Sequence, residues 1–544
     1  MKIRLTLAAL LLVTALDAQE RAPQNDSIRK EDIRADIFFY ASDAMRGRLL
    51  DSAENRIATE FIKSRFERHG LKPAAGNSYF QNFDVVSATL GSSNELEIST
   101  GDGVTRRPLA GQDFVTTRFS GNARARGQVV FAGFGITSSQ PAHDDFPADQ
   151  VKGKIVLVLL HEPGERDPNS PFNGLVTAES STGWRKALAA QQKGAIGILF
   201  ADDVHNHATG APFDAIARAT WPENPGPRAK AWTLASWLDQ LTIPAAQISR
   251  TLAADLVRST GKTLQELSAS ADKVGGFTPI AIPGVDVSMT TTVHRPTTTL
   301  RNVAALIEGS DPTLKDEAIV LLAHLDHEGA EGNQTWVGAD DNSSGTIALL
   351  EIAEAYALAA RDGRRPRRSV LLLSVNAEER GLLGAWAYTE RPLIPLDRTV
   401  AVINMDMIGR NEEVPKDGGP RFLGFDPTPA EANTNSVDLL GYSFAPELAA
   451  AIERANAAYG LVVKKRWDNT ESNVVRRTDH WPFLHRGVPA IAFGTGLHPD
   501  YHTPTDRPDK LNYDKLEKIV RLVHATSWAL ANQDARPRQT ATSR

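Results

Sequence analysis

The chain has 544 residues, 41% hydrophobic and 23% charged, and its 60 basic against 66 acidic residues leave a net charge of −6. That length exceeds what one compact core supports, so two or three domains are expected, and the charge balance gives no reason to expect nucleic acid or an anionic membrane as partner. Cysteine is absent, which excludes disulfides and thiolate metal sites, so any metal must be held by His, Asp and Glu.

Met1 to Ala18 reads as a secretory signal: Lys2 and Arg4 form a basic start, and Leu5 to Leu16 is an apolar run too short to span a bilayer. No later stretch has the length and apolarity of a membrane span, so a periplasmic or secreted protein without membrane insertion is expected. Residues 19–30 are polar and expected to be disordered. Two helical patterns follow between Lys30 and Gly70, broken near Arg46-Gly47-Arg48. Asp51 or Ser52 can cap the second, Ile57, Phe61, Ile62 and Phe66 recur at helical spacing, and Gly70 stops it. Residues 79–120 alternate as strands.

Between about Gly121 and Pro296 the chain turns rich in Gly, Pro and Ala. Gly127 to Ile136, Val151 to Leu160 and Ala195 to Ala201 read as strands and Lys186 to Lys193 as a helix, which predicts a separate, mainly β domain inserted into a larger α/β one. Its Asp144, Asp145, His205 and His207 show no ligand spacing and read as a solvated surface. From Thr299 onward, strands Ile319–Ala323, Val370–Val375, Val400–Asn404 and Ala490–Phe493 alternate with helices Thr346–Ala360, Pro446–Tyr459 and Tyr513–Ala531. That rhythm predicts a mostly parallel mixed sheet flanked by helices. The expected organisation is a signal over 1–18, a first part of the α/β domain over 25–120, the insertion over 121–296, a second, site-bearing part over 297–533 and a disordered tail over 534–544.

Chemistry gathers where the apolar strands end, which is where open α/β sheets place ligands. Ala318 to Ala323 runs into His324-Leu325-Asp326-His327, followed by Gly338-Ala339-Asp340-Asp341-Asn342-Ser343-Ser344-Gly345. Val370–Val375 runs into Asn376-Ala377-Glu378-Glu379-Arg380-Gly381, and Val400–Asn404 into Met405-Asp406-Met407-Ile408-Gly409. After Ala490–Phe493 comes Pro499-Asp500-Tyr501-His502-Thr503-Pro504. His324, Asp341, Glu379, Asp406 and His502 together supply imidazoles and carboxylates suited to two Zn²⁺ ions bridged by a shared carboxylate. Taken alone, Glu378-Glu379 could be an exposed pair at a helix N-terminus, where carboxylates are favoured.

HLDH, GADDNSSG, NAEERGLLGA, NMDMIG and YHTPTD, in that order, resemble metallopeptidase family twenty-eight, the co-catalytic di-zinc aminopeptidases and glutamate carboxypeptidases. The resemblance covers roughly residues 30–120 and 296–530, and the insertion looks like the protease-associated domain of many members. It implies a zinc exopeptidase-like fold in which His324 and Asp406 bind one zinc, Glu379 and His502 the other, and Asp341 bridges them, with a cis Asp341–Asn342 bond. Glu378 matches the general base, taking a proton from a metal-bridging water. Tyr501 is the candidate oxyanion donor, Asp326 the residue that would orient His324, and Asp479 a weaker supporting candidate. His327, His480, His485 and His498 are read as surface residues or supports behind the ligands rather than as ligands.

The function this implies is an exported metallo-exopeptidase acting on peptides, first of all an aminopeptidase. The alternative is a carboxypeptidase preferring acidic residues, for which Arg476 and Arg477 are candidate cations. A one-zinc glutaminyl cyclase fits less well because the positions for two ions are filled. A non-catalytic binding protein on the same scaffold would have eroded ligands. A calcium-stabilised adhesion module would need an all-oxygen shell.

Overall fold

The computed structural model describes residues 22–101 and 103–540; the expected signal segment lies outside them. Two large sheets carry the chain. At the centre of the ten-stranded first sheet, Ala318–His324 pairs in parallel with Ser369–Val375 on one side and Thr399–Met405 on the other, and Ala490–Gly494 follows in parallel. All residues of the first three are buried, which is why they read as unbroken apolar runs. Thr297–Ile307, Phe80–Ser87 and Trp232–Leu234 extend it antiparallel on one flank and Ser436–Leu440 on the other, with Lys72–Pro73 paired to Thr297–Ile307 and Val462–Lys464 beside Ser436–Leu440 completing the ten.

One face of this sheet packs against helices Lys30–Tyr40, Ala53–His69, Gly345–Arg361, Pro446–Asn456 and Tyr513–Asn532. The other packs against Leu383–Glu390 and Trp481–His485. In Ala53–His69 the Ser52 side chain accepts from Asn55 N–H and Gly70 ends the helix at φ 75°. The buried stripe is Ala58, Ile62 and Phe66; Ile57, expected on it, is 49% exposed. Among the described residues, no helix is long and apolar enough to cross a membrane.

Both ends of the described chain are better ordered than expected. Asn25 donates to the Arg521 carbonyl (2.9 Å) and accepts from the Tyr459 hydroxyl (3.0 Å), while Ile28 is fully buried. At the other end Arg536 pairs with Glu317 at 2.6 Å, Arg538 with Glu447 at 2.7 Å, and Gln539 donates to the Leu484 carbonyl. Polar composition signalled disorder, but each of these side chains finds a fixed partner on the helix layer.

The eight-stranded second sheet contains the parallel run Ala123–Phe131, Ile155–Leu159, Gly197–Ala201 and Ala245–Ile248, covered by helices such as Gly183–Gln192 and Arg250–Val257. It also takes in Glu95–Thr100 and Phe114–Thr116, ahead of the expected junction at 121, because both pair with strands of the insertion. Conversely, Trp232–Leu234 leaves the insertion to join Phe80–Ser87 at the edge of the first sheet. Asp145, expected in solvent, is buried against His143 Nε2 at 2.9 Å, and the segment's His207 lies against Glu165.

The segment after Gly164 lies against the elements of the first sheet. Leu175 N–H donates to Asn469 (2.7 Å) and Thr177 N–H to Asn473 (2.8 Å). Glu179, buried, accepts from Arg476 and from Trp481 Nε1 (3.0 Å). Trp184 stacks on Trp237 at 4.6 Å, and Trp237 meets Trp386 edge-on at 5.9 Å.

Candidate metal centre and substrate cleft

His324 closes the central strand and is 1% exposed. Its Nδ1 lies 3.2 Å from the Asp326 carbonyl, an acceptor only, so Nδ1 carries a proton and Nε2 faces the cluster. Nε2 sits 3.2 Å from Asp341 Oδ1 and 3.3 Å from Asp406 Oδ1. On the far side of the same carboxylate, His502 Nε2 lies 3.0 Å from Asp341 Oδ2 and 3.2 Å from Glu379 Oε2. Asp341 thus gives one oxygen to each half, and the five residues expected as ligands meet in one place.

The turn that delivers Asp341 is built by its neighbours. The Asp341–Asn342 bond is cis, and Gly338 has φ 58°, with its missing Cβ position only 1.9 Å from the Asp341 carbonyl oxygen. Asp506 accepts from the N–H groups of Asp340 and Asp341, while Asp340 itself accepts from Gly409 N–H at 2.6 Å. Asn342 donates to the Met405 carbonyl beside Asp406, tying two ligand-bearing loops together.

Asp326 holds a different partner from the one expected. Its carboxylate is 3.9 Å from His324 but accepts from Glu378 N–H (3.1 Å) and Glu379 N–H (3.3 Å). It therefore fixes the turn that splits two adjacent carboxyls between tasks. Glu379 belongs to a possible metal-holding group, whereas Glu378 stands 3.9 Å from His324 and lines the cleft. Asp479 is fully buried with no hydrogen-bond partner for either carboxyl oxygen.

The charges fit a cation. Burial, then Asp406, Glu379 and Asp479, push the Glu378 carboxyl well above its ordinary range. Burial would lower His324, but Glu378, Asp406 and Asp341 lift it well above its usual value, and Glu379 with Asp341 lifts His502 likewise. Asp341 is held well below the carboxylate range, against burial, by His327, His324 and His502. Buried carboxylates in this number require compensating positive charge. Two possible metal-holding groups share Asp341, His324–Asp341–Asp406 and His327–Asp341–Glu379, and His502 joins Glu379 and Glu328 in a third; such imidazole–carboxylate sets are borderline-soft N/O donors of the kind Zn²⁺ takes.

Three features of the centre go beyond the ligand set read from sequence. His327, taken as a non-ligand, is fully buried with Nδ1 2.6 Å from Glu379 Oε1 and 3.8 Å from Asp341 Oδ2. Its proximity to His324 in the chain was the only available signal. Arg48 is fully buried and donates to the carbonyls of Leu325 (2.9 Å), Tyr40 (3.0 Å) and Val337 (2.8 Å), bracing both ligand loops. The third is the cleft wall: Met407, Phe425, Leu440, Trp467, Val474, Leu497 and Arg477 line an open cleft beside Asp341, Glu378 and Asp406. Arg477 donates to the Tyr501 hydroxyl at 3.0 Å, and the Tyr501 ring stacks on His502 at 3.9 Å. Arg476 instead turns away to Glu179. His480, His485 and His498 belong to none of the possible metal-holding groups among the described residues.

The strand ends of a mixed sheet thus converge buried imidazoles and carboxylates on one cleft, an arrangement able to hold metal ions beside a substrate. Residues 302–527 match peptidase family M28, and residues 125–256 match the PA domain. The chain therefore carries a segment of the peptidase family M28 kind, with a PA domain placed ahead of it. A probable glutamate carboxypeptidase of Arabidopsis thaliana, AMP1, is 27% identical over 447 residues, 78% of this chain and 56% of the relative. The mouse aminopeptidase NAALADL1 is 30% identical over 239 residues, 41% of this chain and 29% of the relative. The chain thus spans about half the length of the curated relatives it matches, or less. A solved aminopeptidase from Aneurinibacillus sp. strain AM-1 aligns over 94% of this chain and 95% of its own at 18% identity, with a TM-score of 0.49.

Proposed function

We propose that the chain is an exported di-zinc exopeptidase that removes N-terminal residues, with a preference for apolar side chains. The observation that carries this reading is the cleft itself. Asp341, Glu378 and Asp406 line it with carboxylate oxygens that can accept from a free α-ammonium, while Phe425, Leu440, Trp467 and Leu497 wall the space beside them. His324 and Asp406 would hold one Zn²⁺, Glu379 and His502 the other, and Asp341 both. Ions bound there supply electrophilic polarisation of the peptide carbonyl and acidify water.

The chain's own groups do the rest. Glu378, with its proton affinity raised by burial, takes a proton from the attacking water and returns it to the leaving amine. Asp326 keeps Glu378 in place by accepting from its N–H. The Tyr501 hydroxyl accepts from Arg477 and so has its own proton free to donate toward a developing oxyanion. Tyr501 stays neutral, because burial pushes its phenol up to about 12. Export rests on Met1 to Ala18 and is read by the N-terminus of the mature protein in fractionated cells.

One observation favours a second reading. Arg477 on the cleft wall could bind a substrate carboxylate, as a carboxypeptidase preferring acidic residues requires. Hydrolysis of free-N-terminal and N-blocked acidic peptides, with chelation, zinc restoration and Glu378→Gln, separates the two. Cleavage of free N-termini that is lost on chelation, and falls about 10²–10⁴-fold in Glu378→Gln with zinc content kept, is the expected result. Cleavage confined to N-blocked acidic peptides would replace it with the second reading.

A further inference from the structure

We propose that the PA domain holds a divalent transition-metal ion of its own, on His161, Glu165 and His207. The parallel neighbours Ile155–Leu159 and Gly197–Ala201 end level with each other, Leu159 opposite Ala201. The loops leaving those ends carry His161 with Glu165, and His207, so the second sheet repeats at its own C-terminal edge the placement that builds the peptidase centre.

The side chains converge. Glu165 Oε2 lies 3.2 Å from His161 Nδ1, its Oε1 meets His207 Nε2, and the imidazole rings stack with centroids 4.0 Å apart at 22°. The donor atoms all lie within 4.8 Å of one another. Bonds of about 2.0–2.2 Å to one ion hold donors roughly 3–4 Å apart, so a small inward turn of the rings suffices. Glu165 is 16% exposed and the imidazoles 41% and 34%, leaving a side open for water to complete the coordination.

Both histidines are held from behind by cations. The fully buried Lys186 donates to the His161 carbonyl and to that of Leu159. Arg250 donates to the His207 carbonyl at 2.8 Å and to Ala208 at 2.9 Å while paired with Asp202 at 2.7 Å. Asp203 accepts from His205 N–H and from Asn206, fixing the turn before His207. Two imidazoles and one carboxylate form a donor set for ions of the zinc–copper range and against calcium or magnesium, which take oxygen shells. The competing arrangement is a carboxylate that accepts hydrogen bonds from both rings without any ion.

The test uses the full-length protein, stripped with chelator, reloaded with Zn²⁺ and desalted before metal analysis. Wild type is expected to retain one more zinc per chain than the His161→Ala/His207→Ala variant, whose peptidase activity persists. The difference in zinc carries the result, so it stands or falls separately from the zinc content of the peptidase centre. Diethylpyrocarbonate labelling of wild type needs no variant: Zn²⁺ should slow modification of His161 and His207 at least fivefold, whereas Ca²⁺ should not. Equal zinc contents in the two proteins, or labelling indifferent to Zn²⁺, would overturn the proposal in favour of the metal-free arrangement.

Discussion

At the residue scale, His327 belongs with Asp341 and Glu379 to a possible metal-holding group and also braces the Glu379 carboxylate. Its Nδ1 reaches Glu379 Oε1, and His502 Nε2 the other oxygen of the same carboxylate, so His327 sets the angle at which Glu379 enters the centre. His327→Gln is expected to lower zinc affinity about 10–100-fold, seen as a shift of the zinc concentration that restores activity to chelated protein. An unchanged restoration curve would make the contact incidental. The five candidate ligand positions were legible because His324, Glu379 and Asp406 sit at or just past the ends of apolar strands, while Asp341 and His502 lie in the loops that leave two such strands within recognisable motifs. His327 follows the strand of His324 yet carried no separate signal, since a helper and a ligand are the same residue type at similar spacing. The role of Asp326 was misdirected for a related reason: alternation places it on the face of His324, but its carboxylate satisfies backbone N–H groups arriving from another strand.

At the element scale, the ligand loops depend on a residue far from the motifs. Arg48 donates to carbonyls of both loops as well as to Tyr40, and its guanidinium lies over the Tyr40 ring at 4.6 Å. Arg48→Met would leave those buried carbonyls without donors, at roughly 3–5 kcal/mol by analogy with breaking buried charged contacts. Denaturant unfolding should show that loss. The sequence marked this site only as a helix break, because nothing local reveals which distant carbonyls a buried arginine will serve.

Helix Gly345–Arg361 carries a pH-dependent cost. Burial, then Glu354, Asp36 and Asp32, push the Glu351 carboxyl from 4.5 to about 8. Between those values the folded chain keeps a proton that the unfolded chain has released, so stability falls as pH rises through this window and stays low above it. Glu351→Gln should therefore match wild type near pH 4.5 and exceed it at pH 8 by roughly 2–4 kcal/mol, measured by denaturant unfolding at the two pH values. A constant difference between the two pH values would refute the assignment. The helix itself was evident from its apolar periodicity, while the acidic neighbours that crowd Glu351 come from the separate helix Lys30–Tyr40 and from its own next turn.

At the scale of the whole molecule, the inserted domain bears on the cleft. Glu179 neutralises Arg476, whose neighbour Arg477 lines the cleft, and Arg185 lies 3.7 Å away from the same carboxylate. Glu179→Ala would strand two half-buried cations. The expected outcome is faster proteolytic cutting within 164–182 and a rise in KM larger than the fall in kcat; unchanged values of both would detach the insertion from substrate binding. Composition revealed that a second domain exists but not where it is sewn in, because the pairing of Glu95–Thr100 with Ile280–Thr291 joins segments far apart in the chain. The strand Trp232–Leu234 carries that interweaving further. It covers the outer rim of Phe80–Ser87, whose inner rim waits for Thr297–Ile307, made only after the whole insertion. On the ribosome, Phe80–Ser87 must therefore be kept from foreign strands while its own partners are still being synthesised. A chain excised of its insertion would keep that rim bare for good and would be prone to polymerise through it.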